Sequence, residues 1–247
     1  MLTELFLKGR LRQNLSPEET GALEASVRRT LTVPPRKQLI ERGQRIDNSY
    51  YLVEGSMLRY VDNRRGERQL VSVAIPGDFV DLHGYPMKRL DHAVGTLTAC
   101  VLAEVPHPAV TQLIEKFPHL GRAMWFSTLL DGAMHREWIF RLGSLNAESR
   151  IAHLLCELMT RLRFVEMFDG RNFPIPLLQR DYAEACGITP VHANRSFKSL
   201  RERGALILQG EGRIEILDEA LLVKLAEFEG DYLYGSGDLQ LSEMTDY

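Results

Sequence analysis

The segment from Leu178 to Gly204 restricts the fold of this chain more than any other stretch. Gln179 to Ala185 reads as a short helix that turns Tyr182, Ala183 and Cys186 inward. Gly187 follows where the chain needs a left-handed residue, and Ile188 plugs the gap beside the turn. Thr189 then stands at an N-cap, with Pro190 at the first helical position, where a missing N–H costs nothing. Ala193, Phe197 and Leu200, spaced four and three apart, make the buried stripe of this second helix. Its other face shows Val191, His192, Asn194, Arg195 and Lys198. Small Ala183 lets the two helices cross closely, which is the pattern of a helix-turn-helix rather than a plain helical hairpin.

The flanks extend this reading. Ala205-Leu206-Ile207-Leu208, a turn through Gly210 and Gly212, and Ile214-Glu215-Ile216-Leu217 predict a wing hairpin, after which Asp218 caps a last helix. Upstream, Asn146 caps a helix expected to reach Phe164, and Asp169-Gly170 with Phe173-Pro174-Ile175-Pro176 reads as a turn region. The net charge of −3 hides an uneven distribution. From Arg171 to Gly204 there are six positive and three negative side chains, whereas Asp231 to Tyr247 carries only negative ones and is expected to be a mobile acidic tail.

The N-terminal half has a different texture. Ser16, Pro17 and Glu19 predict a capped helix running from there to about Arg29. From Leu31 to Val105 short runs rich in Val, Leu, Ile and Tyr are broken by Gly43, Gly55, Gly66 and Gly77, the rhythm of a sandwich or barrel. From Pro118 to Arg141 no further proline intervenes, and a helix there would extend roughly 36 Å. Its apolar residues occupy more than one face, so it must be buried on more than one side. One side meets its own β domain and another meets a second copy, with Met124, Trp125, Leu129, Met134, Trp138 and Ile139 as the expected dimer interface. The expected division is therefore 1–117, a β-roll sensor; 118–145, dimerisation helix and hinge; 146–230, winged helix-turn-helix; and 231–247, the tail.

Leu178 to Leu208, with Gly187-Ile188-Thr189-Pro190-Val191-His192 and Asn194-Arg195, resembles the DNA-binding signature of the Crp/Fnr family of transcription regulators. Tyr51-Leu52-Val53-Glu54-Gly55, Pro76-Gly77-Asp78-Phe79 and Thr98-Ala99-Cys100 are similar to the family's β-roll, and Glu148-Ser149-Arg150-Ile151-Ala152 to the helix after its hinge. The resemblance spans about Leu15 to Leu217. It implies an α+β fold: an N-terminal jelly-roll of the cyclic-nucleotide-binding kind, a long dimerisation helix and a C-terminal winged helix-turn-helix. It also implies a cytoplasmic homodimer on double-stranded DNA with an inverted repeat, and RNA polymerase as a partner. The DNA-contacting set is expected to be Gln179, Arg180, Thr189, Pro190, Val191, His192, Asn194, Arg195, Lys198 and Arg201. Arg195 matches the arginine that reads guanine in this family, and Val191 stands where a glutamate is common.

Departures from the family narrow the effector. A cyclic-nucleotide phosphodiester needs an arginine and helix amides, yet alignment puts Leu82 at the usual glutamate and Leu90-Asp91-His92 at the usual Arg-Ser-Ala run. Cyclic AMP is therefore not expected. No cysteine precedes Cys100, so the family's N-terminal iron-sulfur cluster is not expected either. No cofactor is expected; haem stays as an alternative whose axial ligand would be His83, His92 or His135. Those histidines and Arg136 are the candidate effector contacts, since His135 and Arg136 align with central-helix positions that touch effector in the cyclic-nucleotide branch. Cys186 reads as a small buried apolar residue, with oxidation beside the turn as the alternative.

An enzyme and a regulatory module without DNA activity are the competing classes. Asp81, His83 and His92 show no HxH or HExxH spacing, no serine sits in a Gly-x-Ser-x-Gly elbow, and neither catalytic nor metal-binding residues are expected. A regulatory module would need no helix-turn-helix or wing. Three cysteines without CxxC spacing fit a reducing compartment; no stretch is apolar enough to span a membrane, and Met1 to Arg12 reads as no secretory leader.

Overall fold

The computed structural model describes residues 1–209 and 212–235. In chain order the first elements are α1 (Pro17–Ala25), β1 (Arg29–Val33), β2 (Gln38–Ile40), β3 (Asn48–Glu54), β4 (Met57–Asp62), β5 (Arg68–Ala74), α2 (Gly84–Met87), β6 (Ala93–Thr96), β7 (Cys100–Pro106), α3 (His107–Lys116) and α4 (Pro118–Ser144). Then come α5 (Ala147–Phe164), β8 (Asn172–Phe173), α6 (Gln179–Cys186), α7 (Pro190–Glu202), β9 (Leu206–Gln209), β10 (Arg213–Ile216) and α8 (Glu219–Ala226). The chain divides into two compact units. One holds Met1–Val61, Val73–Gly132 and residues 234–235; the other holds Asp62–Ser72 and Ala133–Leu233.

The first unit is built on two sheets, ordered β1-β7-β3 and β2-β6-β4. Ile40, Leu52, Met57, Val80, Leu90, Val94 and Leu102 form one of its apolar clusters. A second joins Phe6, Leu11, Leu23, Tyr51, Phe79, Leu82, Val105, Leu113 and Met124. Two glycines are sterically required. Gly55 has φ +92° and a Cβ there would collide with the Ala99 carbonyl oxygen; at Gly77, φ +102°, it would lie 2.8 Å from that of Leu5. The N-terminal residues, which no periodicity singled out, are held by Glu24, whose carboxylate accepts from the Leu2 and Thr3 amides at 2.8 and 2.9 Å.

The capping box at Ser16 and Glu19 is present, with reciprocal bonds of 3.1 and 2.8 Å. The helix it starts ends at Ala25, short of Arg29, because the next residues are claimed by a strand. The Arg28 amide donates to the Glu104 carbonyl at 2.9 Å, β1 pairs antiparallel with β7, and the guanidinium groups of Arg28 and Arg29 both meet the buried Glu104 carboxylate.

In the second unit Asn146 caps α5, accepting from the Ser149 amide at 3.0 Å. The expected hairpin is a three-stranded sheet, β8-β10-β9. Asp169 accepts from the amides of Arg171 and Asn172, both at 2.7 Å, and so turns buried Phe173 into register with Ile214. Gly210 lies outside the described residues. The C-terminal segment also departs from expectation. Asp231–Leu233 form a 3-10 turn, Leu233 is buried, and Tyr232 donates its hydroxyl to Glu157 at 2.9 Å; residues 236–247 of the expected tail lie outside the described residues. Among the described residues no helix is long and apolar enough to cross a membrane.

Helix α4 uses more of its apolar residues within its own chain than expected. In the first unit Met124 belongs to the core, while Trp125 and Leu129 are 63% and 54% exposed. In the second unit Met134 and Trp138 are buried, while Ile139 and Phe140 are 71% and 44% exposed. Trp138 turns inward because its indole N–H is shared by both oxygens of buried Glu157, at 3.1 Å each. His153, also buried, sets Nε2 3.0 Å from Glu137 Oε1 and lies against Phe228 and Tyr232. The Glu137 contact does not keep the imidazole charged: burial, helped by the Arg141 charge, pushes its pKa down to about 3.

A group whose folded pKa is depressed below that of the unfolded chain binds fewer protons when folded, so the folded state loses stability as pH falls from about 6.5 toward 3. For His153 the slope approaches roughly 1.4 kcal/mol per pH unit once the unfolded imidazole is charged. Urea denaturation of the chain and of His153→Gln at pH 7.5, 6.5 and 5.5 should show a stability gap that shrinks with acidity. A gap independent of pH contradicts this assignment.

Candidate nucleic-acid interface

The helix-turn-helix is set by local chemistry. The Asp181 carboxylate accepts from the Leu178 amide at 2.7 Å and fixes the start of α6. Gly187 closes that helix in the left-handed conformation, φ +60°. Thr189 caps α7, its hydroxyl accepting from the His192 amide at 3.3 Å, with Pro190 next. Ala193, Phe197 and Leu200 are buried as expected, and the Tyr182 and Phe197 rings meet edge to face with centroids 4.9 Å apart. Ile188 is only half-buried, so it covers the turn partially. Cys186 is fully buried and its thiol is pushed up to about 11 by burial, the behaviour of a packed apolar residue rather than a reactive thiolate.

Two arginines support the turn from outside the motif. Arg141 of α4 donates to the Ala185 carbonyl at 3.3 Å and stacks over Trp138 at 4.0 Å. Arg150 of α5 donates to the Cys186 carbonyl at 3.1 Å and to that of Leu145 at 2.8 Å. They satisfy carbonyls that a helix end leaves without partners. Periodicity identified neither, because an arginine in an amphipathic helix looks like a solvated charge until the facing carbonyl is known.

The outward face of α7 carries Val191, His192, Asn194, Arg195, Lys198 and Arg201, all exposed, together with Thr189 and Pro190 at its start. Gln179 and Arg180 at the start of α6 are exposed beside it, and Asn194 Nδ2 donates to Gln179 Oε1 at 3.2 Å. Lys198 lies 3.7 Å from Glu202 and Arg180 3.9 Å from Asp181, separations that leave the cations hydrated. Within the same unit a cleft of about 810 Å³ is lined by Glu67, Gln69, Arg180, Ile188, Pro190 and His192, among others, and Gln69 Nε2 donates to the Glu184 carbonyl across it at 2.5 Å. The arrangement offers a capped helix N-terminus and guanidinium, ammonium and amide donors on one accessible surface, which suits phosphate and base edges.

The candidate effector residues fall into two groups. His83 and His92 come together in the first unit, with ring centroids 5.2 Å apart, and His92 Nδ1 is 2.8 Å from Asp91 Oδ1. His135, half-buried, and Arg136, exposed, belong to the second unit. Burial, with the nearby Arg59 charge, pushes the His83 pKa down to about 4, so the ring is neutral. Beside this region Asp81 is fully buried; it accepts from the Tyr50 amide at 2.6 Å, and burial raises its pKa to about 7. Among the described residues no group of three His, Cys, Asp or Glu side chains is arranged to hold a metal.

A family model of the Crp-like helix-turn-helix domain matches residues 149–225, and one of the cyclic nucleotide-binding domain matches residues 30–117. The nitrogen fixation regulation protein FixK of Bradyrhizobium diazoefficiens is 30% identical over 184 residues, 73% of this chain and 75% of the relative. The chain belongs to the Crp/Fnr family. It is a DNA-binding transcription regulator of the Crp/Fnr type. The transcriptional activator FnrL of Cereibacter sphaeroides is 27% identical over 197 residues, 78% of each chain. The structure of FixK2 from Bradyrhizobium japonicum shares the fold, with a TM-score of 0.73 at 19% identity, covering 80% of this chain and 96% of that one. The cyclic-nucleotide fold is thus present, but the residues at its phosphate positions do not fit that ligand. Leu82 and Leu90 are buried in the two apolar clusters, and the buried Arg59 is spent on the Val80 and Phe79 carbonyls and on Asp131, at 2.8, 3.0 and 2.8 Å.

Thr189→Ala removes the cap of α7 and should cost about 1 kcal/mol of stability. Hydrogen exchange of the amides at the start of α7 should speed up relative to those of α5. Unchanged exchange there would show that Pro190 and packing alone hold the helix start.

Proposed function

We propose that this Crp/Fnr regulator acts as a cytoplasmic homodimer that binds an inverted repeat and presents promoter DNA to RNA polymerase. The observation that carries the reading is the exposed polar face of α7, beginning at the Thr189 cap, above a fully packed inner face. Arg195 donates both N–H groups of its fork to guanine O6 and N7, while Lys198 and Arg201 neutralise phosphates. Val191 offers no acceptor to cytosine N4 and meets a thymine methyl instead.

Dimerisation runs along α4. Trp125, Leu129, Ile139 and Phe140 are exposed apolar side chains, and Trp125 and Ile139 stand two heptads apart in one helix. The partner's α7 then lies about one helical turn of DNA away, near 34 Å. Buried Met124, Met134 and Trp138 serve the fold of each protomer. The effector, if the regulator takes one, is a polar small molecule other than a cyclic nucleotide, meeting the Asp81 and His83 region; control by protein level is the alternative. Asp81 Oδ2 and His83 Nε2 have no hydrogen-bond partner among the described residues. Arg59 has three of its five N–H donors engaged by Val80, Phe79 and Asp131, and its charge is paired with Asp131, which supports the exclusion of cyclic AMP.

Binding of a cognate inverted repeat tests the reading. Arg195→Ala should lose discrimination at one guanine per half-site, roughly 1 to 3 kcal/mol each, whereas Lys198→Ala should weaken all sequences alike and flatten the salt dependence. An unchanged selected motif for Arg195→Ala contradicts this register of the recognition helix. Ile139→Glu or Trp125→Glu should shift sedimentation from dimer to monomer; a wild-type monomer at micromolar concentration contradicts the interface. Calorimetry with cyclic AMP should show no heat, and micromolar binding would overturn the assignment of the phosphate positions.

A further inference from the structure

We propose that Asn194 reads an adenine beside the guanine contacted by Arg195, and that Gln179 is the positioning residue that sets the Asn194 amide for it. The inference rests on the DNA-binding reading above and adds a base identity and a supporting residue to it. Asn194 and Gln179 are both exposed, on different helices, yet Asn194 Nδ2 donates to Gln179 Oε1 at 3.2 Å. An exposed amide–amide contact stabilises little, since water competes for every donor and acceptor. Its consequence is orientation.

The platform under the pair is stiff. Gln179 is the first residue of α6, whose start is held by the Asp181 carboxylate on the Leu178 amide. The crossing of α6 and α7 is locked by the Tyr182–Phe197 ring contact and by fully buried Ala185, Ala193 and Leu200. Gln179 therefore approaches Asn194 from a fixed direction. A primary amide has two N–H donors and one carbonyl acceptor. With one N–H engaged by Gln179, the carbonyl and the other N–H remain for DNA. A paired acceptor and donor match adenine, which offers N7 as acceptor and N6–H₂ as donor. Guanine presents two acceptors in the major groove, cytosine a donor, and thymine an acceptor with a methyl group, so none takes both Asn194 bonds. The contact to Gln179 also stops the amide from rotating to the reversed pattern. Val191, one turn earlier on the same face, has no polar atom with which to compete for the base.

The test is binding selection by the protein from an inverted-repeat library with randomised half-sites, followed by competition with each base pair at the position next to the selected guanine. Wild type should select adenine there and lose roughly 5- to 100-fold in affinity per half-site when it is replaced. Asn194→Ala should abolish the adenine preference and keep the guanine. Asn194→Asp, which can only accept, should move the preference to cytosine, whose N4 donates. Gln179→Ala should narrow the adenine preference severalfold. Gln179→Glu, which keeps an acceptor for Asn194 Nδ2, should retain that preference while weakening all sequences through its charge. A merely structural Gln179 would lower binding to every sequence equally with the base preference intact, and that result overturns the positioning role. Selection of the guanine with no adenine beside it overturns the proposal alone, whereas loss of all sequence preference in wild type overturns it together with the DNA-reading account.

Discussion

The second unit depends on the carboxylate of Glu157. A buried carboxylate is tolerated only when its lone pairs are filled, and this one is met by the Trp138 indole N–H, the Tyr232 hydroxyl and, at 3.7 Å, Arg161. Those partners come from α4, the segment after α8, and α5 itself, so one charge sets the positions of three pieces of chain. The order continues outward. Trp138 lies under the Arg141 guanidinium, and Arg141 donates to the Ala185 carbonyl at the end of α6. The turn that aims the recognition helix is thus tied, through Arg141, to the residue that satisfies Glu157. Because Trp138 is committed inward, the later part of α4 offers Ile139 and Phe140 outward.

Much of this was legible in the sequence where the determining contacts are local. The caps at Ser16, Asn146, Thr189 and Asp218 each bond an amide three residues away, a distance the chain itself fixes, and all four stand as read. Gly187 and the stripe of Ala193, Phe197 and Leu200 follow from backbone geometry and helical period in the same way. The contacts that periodicity missed are long-range. Trp138 is apolar by composition, and only Glu157, nineteen positions on and buried, explains why it faces in. The end of α1 was misjudged because Glu104, far along the chain, draws Arg28 and Arg29 into the sheet. Asp231 to Leu233 read as tail because acidic residues surround Tyr232, whose hydroxyl has a buried acceptor.

The N-terminal unit has the fold of a cyclic nucleotide-binding domain. The strands, the tight turns at Gly55 and Gly77 and the match to the cyclic nucleotide-binding domain all persist. Leu82 and Leu90 are buried in apolar packing, and the buried Arg59 is paired with Asp131 and bonded to backbone carbonyls. Among the described residues near that packing, His83 is neutral, the pKa of Asp81 is raised to about 7, and the Arg59 charge is paired with Asp131. The DNA-binding half has kept its donors exposed and its inner face closed.

The central claim is that two copies of α7 enter the major groove and place a guanidinium on guanine N7. Methylation interference on a selected inverted repeat reads that atom directly, since N7 methylation blocks the bond. The account predicts one strongly interfering guanine in each half-site, related by two-fold symmetry and about one helical turn apart. Interference that is absent, confined to one half-site or spread evenly over all guanines would contradict it.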